Sequence, residues 1–286
     1  MLSMAKRPSG KLNYLERNVP QGMVVDAAWL QENGYSTSLR SQYVSAGWLE
    51  QPARRVYRRP LGPLTWQHVV ISLQSLLNHV LVVGGRTALE LHGFAHYLSQ
   101  ADPEVHLYGP KPPPSWLQDL PLGVRFRYHN STPLFRDDPT TVGLSSFNWN
   151  LKTSTGASVD PIHGGVSTIN WGGLDSWPLV VSTPERAVLE LLDELPNQES
   201  FHQVDVLMEG LTSLSPRRLQ KLLQDCRSVK VKRLFFFFAD RHRHRWLKQL
   251  DKSKIDLGQG KRHLVSGGKF DRTYQITVPE DLHGVS

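Results

Sequence analysis

The chain has 286 residues, with 33 Lys and Arg against 26 Asp and Glu, and one Cys. At roughly 150 residues per domain this length allows one large domain or two smaller ones, and a hydrophobic share of 39% excludes global disorder. A single Cys excludes an internal disulfide and any zinc site with two or more Cys ligands; with no leader-like apolar segment and no run of ~18 apolar residues, the expectation is a cytosolic protein that neither is secreted nor spans a membrane.

The net charge of +7 hides a segregation. Residues 1–65 carry 9 basic and 4 acidic side chains, residues 66–214 carry 7 and 15, and residues 215–286 carry 17 and 7. Two basic ends around an acidic middle point to one or two surfaces for a polyanion, or to solvated charged tails.

In chain order, Lys11 to Asn18 reads as a short helix closed by Val19-Pro20, and Val24 to Glu32 as a second, stopped by Asn33-Gly34. Ser36 caps a third, with Leu39, Tyr43 and Val44 inward and Gly47 at its end. Trp48-Leu49-Glu50 and Val56-Tyr57-Arg58 then form two short strands. Helix, helix, tight turn, helix and basic hairpin is the order of a winged helix-turn-helix. The exposed residues of the third helix are expected to be Thr37, Ser38, Arg40, Ser41 and Gln42 behind Ser36, a set suited to base edges and phosphates. Arg40 and Gln42 are the candidate base readers. The wing offers Arg54, Arg55, Arg58 and Arg59 for phosphate contact. The alternative is a small three-helix domain with a charged surface.

Leu61-Gly62-Pro63 is read as a linker, which places a DNA-binding domain at 1–62 and a larger mixed α/β domain at 63–286, an α+β protein overall. Trp66, Val69, Val70, Leu73, Leu76, Leu77 and Val80 mark an amphipathic helix, and Thr87 to Leu98 another, with Ala88, Leu91, Ala95 and Leu98 inward. Between them, Gly84-Gly85 admits two readings. One is tight helix packing; the other is a nucleotidyltransferase-like phosphate cradle, with Asp102 and Glu104 as its metal-binding carboxylates. Pro103 between these two carboxylates favours a turn over a metal-binding strand edge.

Strands follow at Glu104 to Tyr108 and Val124 to Tyr128, with further candidates at Gly143 to Leu151 and Val166 to Trp171. Asp160 and His163 fall in a hairpin-like turn. Leu179-Val180-Val181 is a buried strand that runs into Ser182-Thr183-Pro184-Glu185, which has the pattern of a capping box before a helix. Further helices span Phe201 to Leu211 and start at Ser215-Pro216, the latter burying Cys226, and Arg272 to Val278 is a last strand. Phe235 to Phe238 are buried on several sides or meet a partner. Arg241-His242-Arg243-His244-Arg245 is read as a basic patch that gains charge below about pH 6.5, since His at i and i+2 on a helix diverge. No metal or other cofactor is called for.

Taken whole, the chain resembles the AbiEi family of antitoxins, from the AbiE type IV toxin–antitoxin systems of bacteria. The likeness rests on the run Val82-Val83-Gly84-Gly85-Arg86-Thr87-Ala88-Leu89-Glu90-Leu91-His92-Gly93, the strand Val105-His106-Leu107-Tyr108-Gly109, the segment Ser182-Thr183-Pro184-Glu185-Arg186-Ala187, and Ile255-Asp256-Leu257-Gly258-Gln259-Gly260-Lys261-Arg262. The resemblance implies a non-catalytic protein of the bacterial cytoplasm whose winged helix binds double-stranded DNA at inverted repeats in its own promoter. It implies a C-terminal part that counters a nucleotidyltransferase-like toxin without a stable complex. A monomer in solution with two copies per operator is the corresponding expectation. No antitoxicity residue follows from the motifs; Lys230, Lys232, Arg233, Arg241, Arg243 and Arg245 are candidates on charge alone. The rivals are the transferase reading above and a non-specific nucleic-acid adaptor working through the basic C-terminal block.

Overall fold

The computed structural model describes residues 8–94, 103–137, 165–172 and 177–282; Ala95, Leu98, Asp102, the 143–151 segment, and Asp160 and His163 lie outside them.

Helix α1 (Pro8–Asn18) buries Leu15. The helix expected over 24–32 is instead a strand followed by a helix, β1 (Val24–Asp26) and α2 (Ala27–Glu32). β-Branched Val24 and Val25 favour the extended chain, and they pair antiparallel with Arg58 and Tyr57. Asp26 then accepts the Trp29 amide at 2.8 Å, so the helix begins only after that cap. Gly34 turns the chain with φ 79°, a conformation open to glycine. Ser36 caps α3 (Thr37–Ser45) through the Leu39 amide. The hairpin β2 (Glu50–Ala53) and β3 (Val56–Arg58) follows, and β1 joins it in a sheet of order β1-β3-β2. Three helices against this small sheet make a winged helix-turn-helix.

Beyond Leu61-Gly62-Pro63, α4 (Trp66–Ser75) is capped by Thr65. Its Val69, Val70, Ile71 and Leu73 belong to one apolar cluster with Leu15, Val24, Val25, Leu30 and Tyr35 of the winged helix. The cluster continues into Val83, Val105, Leu107, Leu179 and Val181. These line one face of a mixed five-stranded sheet built from β4 (Val82–Val83), β5 (Glu104–Gly109), β6 (Arg125–Asn130), β7 (Val166–Trp171) and β8 (Trp177–Ser182), in the order β6-β5-β4-β8-β7. α4 is bonded on both sides. The Val24 amide donates to Ser72 Oγ at 2.9 Å, and the Gln74 side chain exchanges hydrogen bonds of 3.0 Å with the Val180 backbone.

The other side of the sheet meets α5 (Gly85–Leu91) and α6 (Pro184–Asp193). Behind them lie α7 (Phe201–Gly210), α8 (Pro216–Asp225), α9 (Val229–His242) and the hairpin β9 (Lys269–Asp271) and β10 (Ile276–Val278). Phe235 to Phe238 are all buried in this second cluster, as is Cys226, whose thiol burial pushes up to about 12. The capping box does not form. Thr183 occupies the N-cap, Ser182 donates to Glu190 at 3.0 Å, and Glu185 instead accepts the Ser215 amide and Arg218 Nη1, each at 2.7 Å. Ser182 ends β8 one residue too early to cap. The last strand is also shorter than expected, because Thr273 and Tyr274 belong to the turn before β10.

Candidate nucleic-acid interface

α3 presents a polar outer face. Ser36, Thr37, Ser38, Ser41 and Gln42 are exposed, Leu39 and Val44 are half-buried, and Tyr43 is buried. Arg40 departs from the expected arrangement. It shares the inward side of the helix with Tyr43, three positions on, and is only 7% exposed. Its Nη1 donates to Ala27 O at 3.2 Å, its Nη2 to Thr37 Oγ1 at 2.9 Å, and its guanidinium lies 5.8 Å from the Tyr57 ring centroid. Arg40 therefore fastens α3 to α2 and β3 and presents no fork to a base edge.

The hairpin divides its four arginines into two pairs. Arg54 and Arg55 sit exposed at the tip, Arg55 with φ 65°. Arg58 is buried, its Nε bonded to Glu50 at 2.5 Å and its Nη2 to Gly62 O at 2.9 Å. Arg59 donates to Glu16 O at 3.1 Å and Val19 O at 2.9 Å, carbonyls at the C-terminal end of α1 that favour a cation. The expectation that all four serve as phosphate contacts thus narrows to Arg54 and Arg55. The tip is tied to α3 through α2: the Ala27 amide donates to Arg55 O at 2.8 Å, while Ala27 O accepts from Arg40. A side chain read from sequence as a ligand contact is thus the fastener between helix and wing. The clue was its spacing from Tyr43 on one helix face.

The C-terminal basic block is mostly spent internally. Lys232 and Arg233 are buried, and Lys230 donates to Asp193 O and Leu195 O at 2.5 and 2.9 Å. Arg241 and His242 both bind Asp205, at 3.0 and 2.7 Å, and His244 is buried with Nε2 at 2.7 Å from Met208 O. Of the six basic candidates only Arg243 and Arg245 are exposed. The continuous pH-sensitive patch expected over 241–245 is therefore not formed, because carboxylate and carbonyl partners have drawn its members inward.

Two family models match in chain order: a transcriptional-regulator AbiEi antitoxin N-terminal domain over residues 8–100, and a transcriptional-regulator AbiEi antitoxin of type IV toxin–antitoxin systems over residues 169–279. The chain belongs to the AbiEi family. Among solved structures, the Rv2827c protein of Mycobacterium tuberculosis is similar in fold, with a TM-score of 0.52 at 16% identity over 96% of this chain and 92% of that one. No curated protein matches the chain.

In this AbiEi chain the Gly84-Gly85 segment is filled by the protein itself. The Gly85 amide at the start of α5 donates to the buried Glu190 carboxylate at 3.0 Å. A Cβ on Gly84 would overlap Glu190 and the Tyr108 ring. Glu190 also pairs with Arg186 at 2.7 Å, and both are fully buried. Period-2 alternation sends Glu104, His106 and Tyr108 of β5 toward this side of the sheet, with Val105 and Leu107 in the opposite cluster. His106 Nδ1 lies 3.0 Å from His129 Nε2, whose Nδ1 lies 2.8 Å from Glu194. Burial first, and then the neighbouring His129, lowers the His106 pKa to about 4. Glu104 is paired with Arg127 at 2.8 Å. Among the described residues no group of His, Cys, Asp and Glu is arranged to hold a metal ion, and no helix is long and apolar enough to cross a membrane.

Proposed function

We propose that this antitoxin regulator is a sequence-specific DNA-binding autorepressor of the cytoplasm, without catalytic activity. It binds inverted repeats in its own promoter as two copies per operator, each copy a monomer in solution. The observation that carries the reading is the outer face of α3, with Ser36, Thr37, Ser38, Ser41 and Gln42, joined through Ala27 to a wing tip bearing Arg54 and Arg55. Short polar side chains on a helix suit base edges and phosphates in the major groove, and a basic wing suits the flanking backbone. The partner to be neutralised is a nucleotidyltransferase-like toxin, met without a stable complex, and Arg243 and Arg245 are the exposed candidates for that role. Against an enzymatic reading stands the Gly84-Gly85 segment, whose amide is already bonded to Glu190 and whose open side is closed by Tyr108.

The test is fluorescence anisotropy with the chain's own promoter and a scrambled duplex, over a range of salt. Gln42→Ala is expected to narrow the gap between the two duplexes by about 1–3 kcal/mol. Equal affinity of the unaltered protein for promoter and scrambled DNA would remove the autorepressor reading.

A further inference from the structure

The 255–262 segment carries family likeness but no part of the proposed DNA interface. It borders a cleft of about 230 Å³ between the Gly258–Gly260 loop and the β9–β10 turn, lined by Arg233, Gln259, Thr273, Tyr274 and Gln275 with the two glycines. Arg233 rises from α9 and is 3% exposed. Its Nε donates to Leu257 O at 2.7 Å, its Nη1 to Gly260 O at 2.6 Å and Gln275 O at 3.4 Å, and its Nη2 to Gly258 O at 3.0 Å. Those four bonds leave one of the five guanidinium hydrogens without a partner among the described residues.

All of these partners are neutral carbonyls. A buried cation is ordinarily matched by a carboxylate, and none lines this cleft. Nearby carboxylates are engaged elsewhere: Asp256 accepts from Gly258 N–H at 2.8 Å, Asp271 from Tyr274 N–H at 2.7 Å, and Asp240 from the Tyr274 hydroxyl and from Lys252. A second guanidinium adds to the imbalance. Arg262 is exposed and has no ion pair among the described residues; burial first, and then Arg262, lowers the Arg233 pKa. Gln275 holds a left-handed backbone, φ 53°, which turns its carbonyl to both Arg233 and the Arg262 amide. Such conformations in residues with side chains concentrate at ligand sites.

We propose that this cleft binds a phosphate group, with Arg233 at its floor, Arg262 at its rim, and Gln259 and Thr273 as neutral donors. Guanidinium groups suit phosphate because they stay charged; Arg233 contributes its charge and one remaining N–H, and the exposed Arg262 supplies the further donors. The volume suits one phosphoryl group with a small attachment and is below that of a drug-sized ligand site. The phosphate belongs either to the end of a free nucleotide or to a nucleic-acid backbone. The site is separate from α3 and the wing and stands or falls independently of the DNA-binding reading.

The test follows the backbone amide NMR signals of Gly258, Gly260 and Gln275 in the full chain during titration with inorganic phosphate, with chloride holding ionic strength constant. Saturable shifts are expected, weakened about tenfold in Arg262→Ala. Thr273→Val, a second exposed position, should weaken them several-fold while the melting temperature holds. Adenosine 5′-monophosphate and a short oligonucleotide lacking terminal phosphates then distinguish the sources, the tighter of the two naming the ligand class. Shifts no larger than chloride produces, or phosphate affinity unchanged in both variants, would overturn the proposal.

Discussion

Arginine is the residue type on which composition and structure diverge most. Arg54 and Arg55 face solvent, whereas Arg40, Arg58 and Arg59 spend their hydrogens on Ala27, Thr37, Glu50, Gly62 and the end of α1. Charge and spacing alone do not distinguish the two sets, because a guanidinium serves a phosphate and a carbonyl equally well. The two sets should behave differently when truncated. Arg54→Ala with Arg55→Ala should weaken binding to every duplex and reduce the slope of log affinity against log salt by about 2, each lost phosphate contact contributing ~0.9. An unchanged slope would take the wing tip out of the interface. Arg40→Ala should instead lower stability by about 1–3 kcal/mol through lost buried hydrogen bonds, and specific and non-specific affinity should fall together. Urea melts read beside anisotropy check this; relaxed specificity at full stability would return Arg40 to base reading. At Glu190 the issue is burial. Glu190→Gln removes the buried carboxylate that accepts from Arg186, Ser182 and the Gly85 amide, so the denaturation midpoint should fall by an amount equivalent to about 1–3 kcal/mol.

At the level of elements, helices with clear apolar periodicity were readable, among them α3, α4, α7 and α8, and so were the strands β5 and β8. The 24–32 segment was not. Val24, Ala27, Ala28 and Leu30 satisfy a helical apolar spacing locally, and only the pairing of Val24 and Val25 with Arg58 and Tyr57, more than thirty residues away, makes the start of the segment a strand. The capping box over 182–185 failed for a related reason: the pattern does not reveal that β8 retains Ser182 or that Glu185 is claimed by Ser215 and Arg218. The hairpin tip offers a prediction of its own. Arg55 holds φ 65°, which costs a residue with a Cβ roughly 1 kcal/mol. Arg55→Gly should therefore preserve or modestly raise thermal stability while lowering affinity for DNA. A fall in both would mean that the Arg55 side chain supports the turn itself.

For the molecule as a whole, the winged fold and its family were legible because helix order, turn glycines and local motifs all lie within short stretches of chain. The buried network around Glu190 was not, since it joins β5, β6, α5 and α6 through side chains some 105 positions apart, as in the Gly85–Glu190 bond. That network makes stability depend on pH. Its His106 is lowered from 6.5 to about 4 by burial, with His129 and Arg86 acting in the same direction and Glu194 and Glu104 opposing. Between those values the unfolded chain binds the proton that the native one excludes. The contribution is complete above pH 6.5 and is lost progressively as pH falls from 6.5 through 4, with about 2.5 kcal/mol gone by pH 4.5. Urea midpoints at pH 7 and 4.5 should converge in His106→Asn relative to the unaltered chain; an identical difference in both would exclude His106 as its source.

The position of α4, with winged-helix side chains on one flank and the central sheet on the other, bears on how the molecule can be dissected. A fragment cut at residue 62 would expose the underside of its own reading head to water, and an inactive product would reflect collapse or clumping before it reported on recognition. A cut near residue 100, where the N-terminal family model ends, keeps α4 with the winged helix. By the same continuity, a substitution in α4 should disturb the winged helix and the central sheet together.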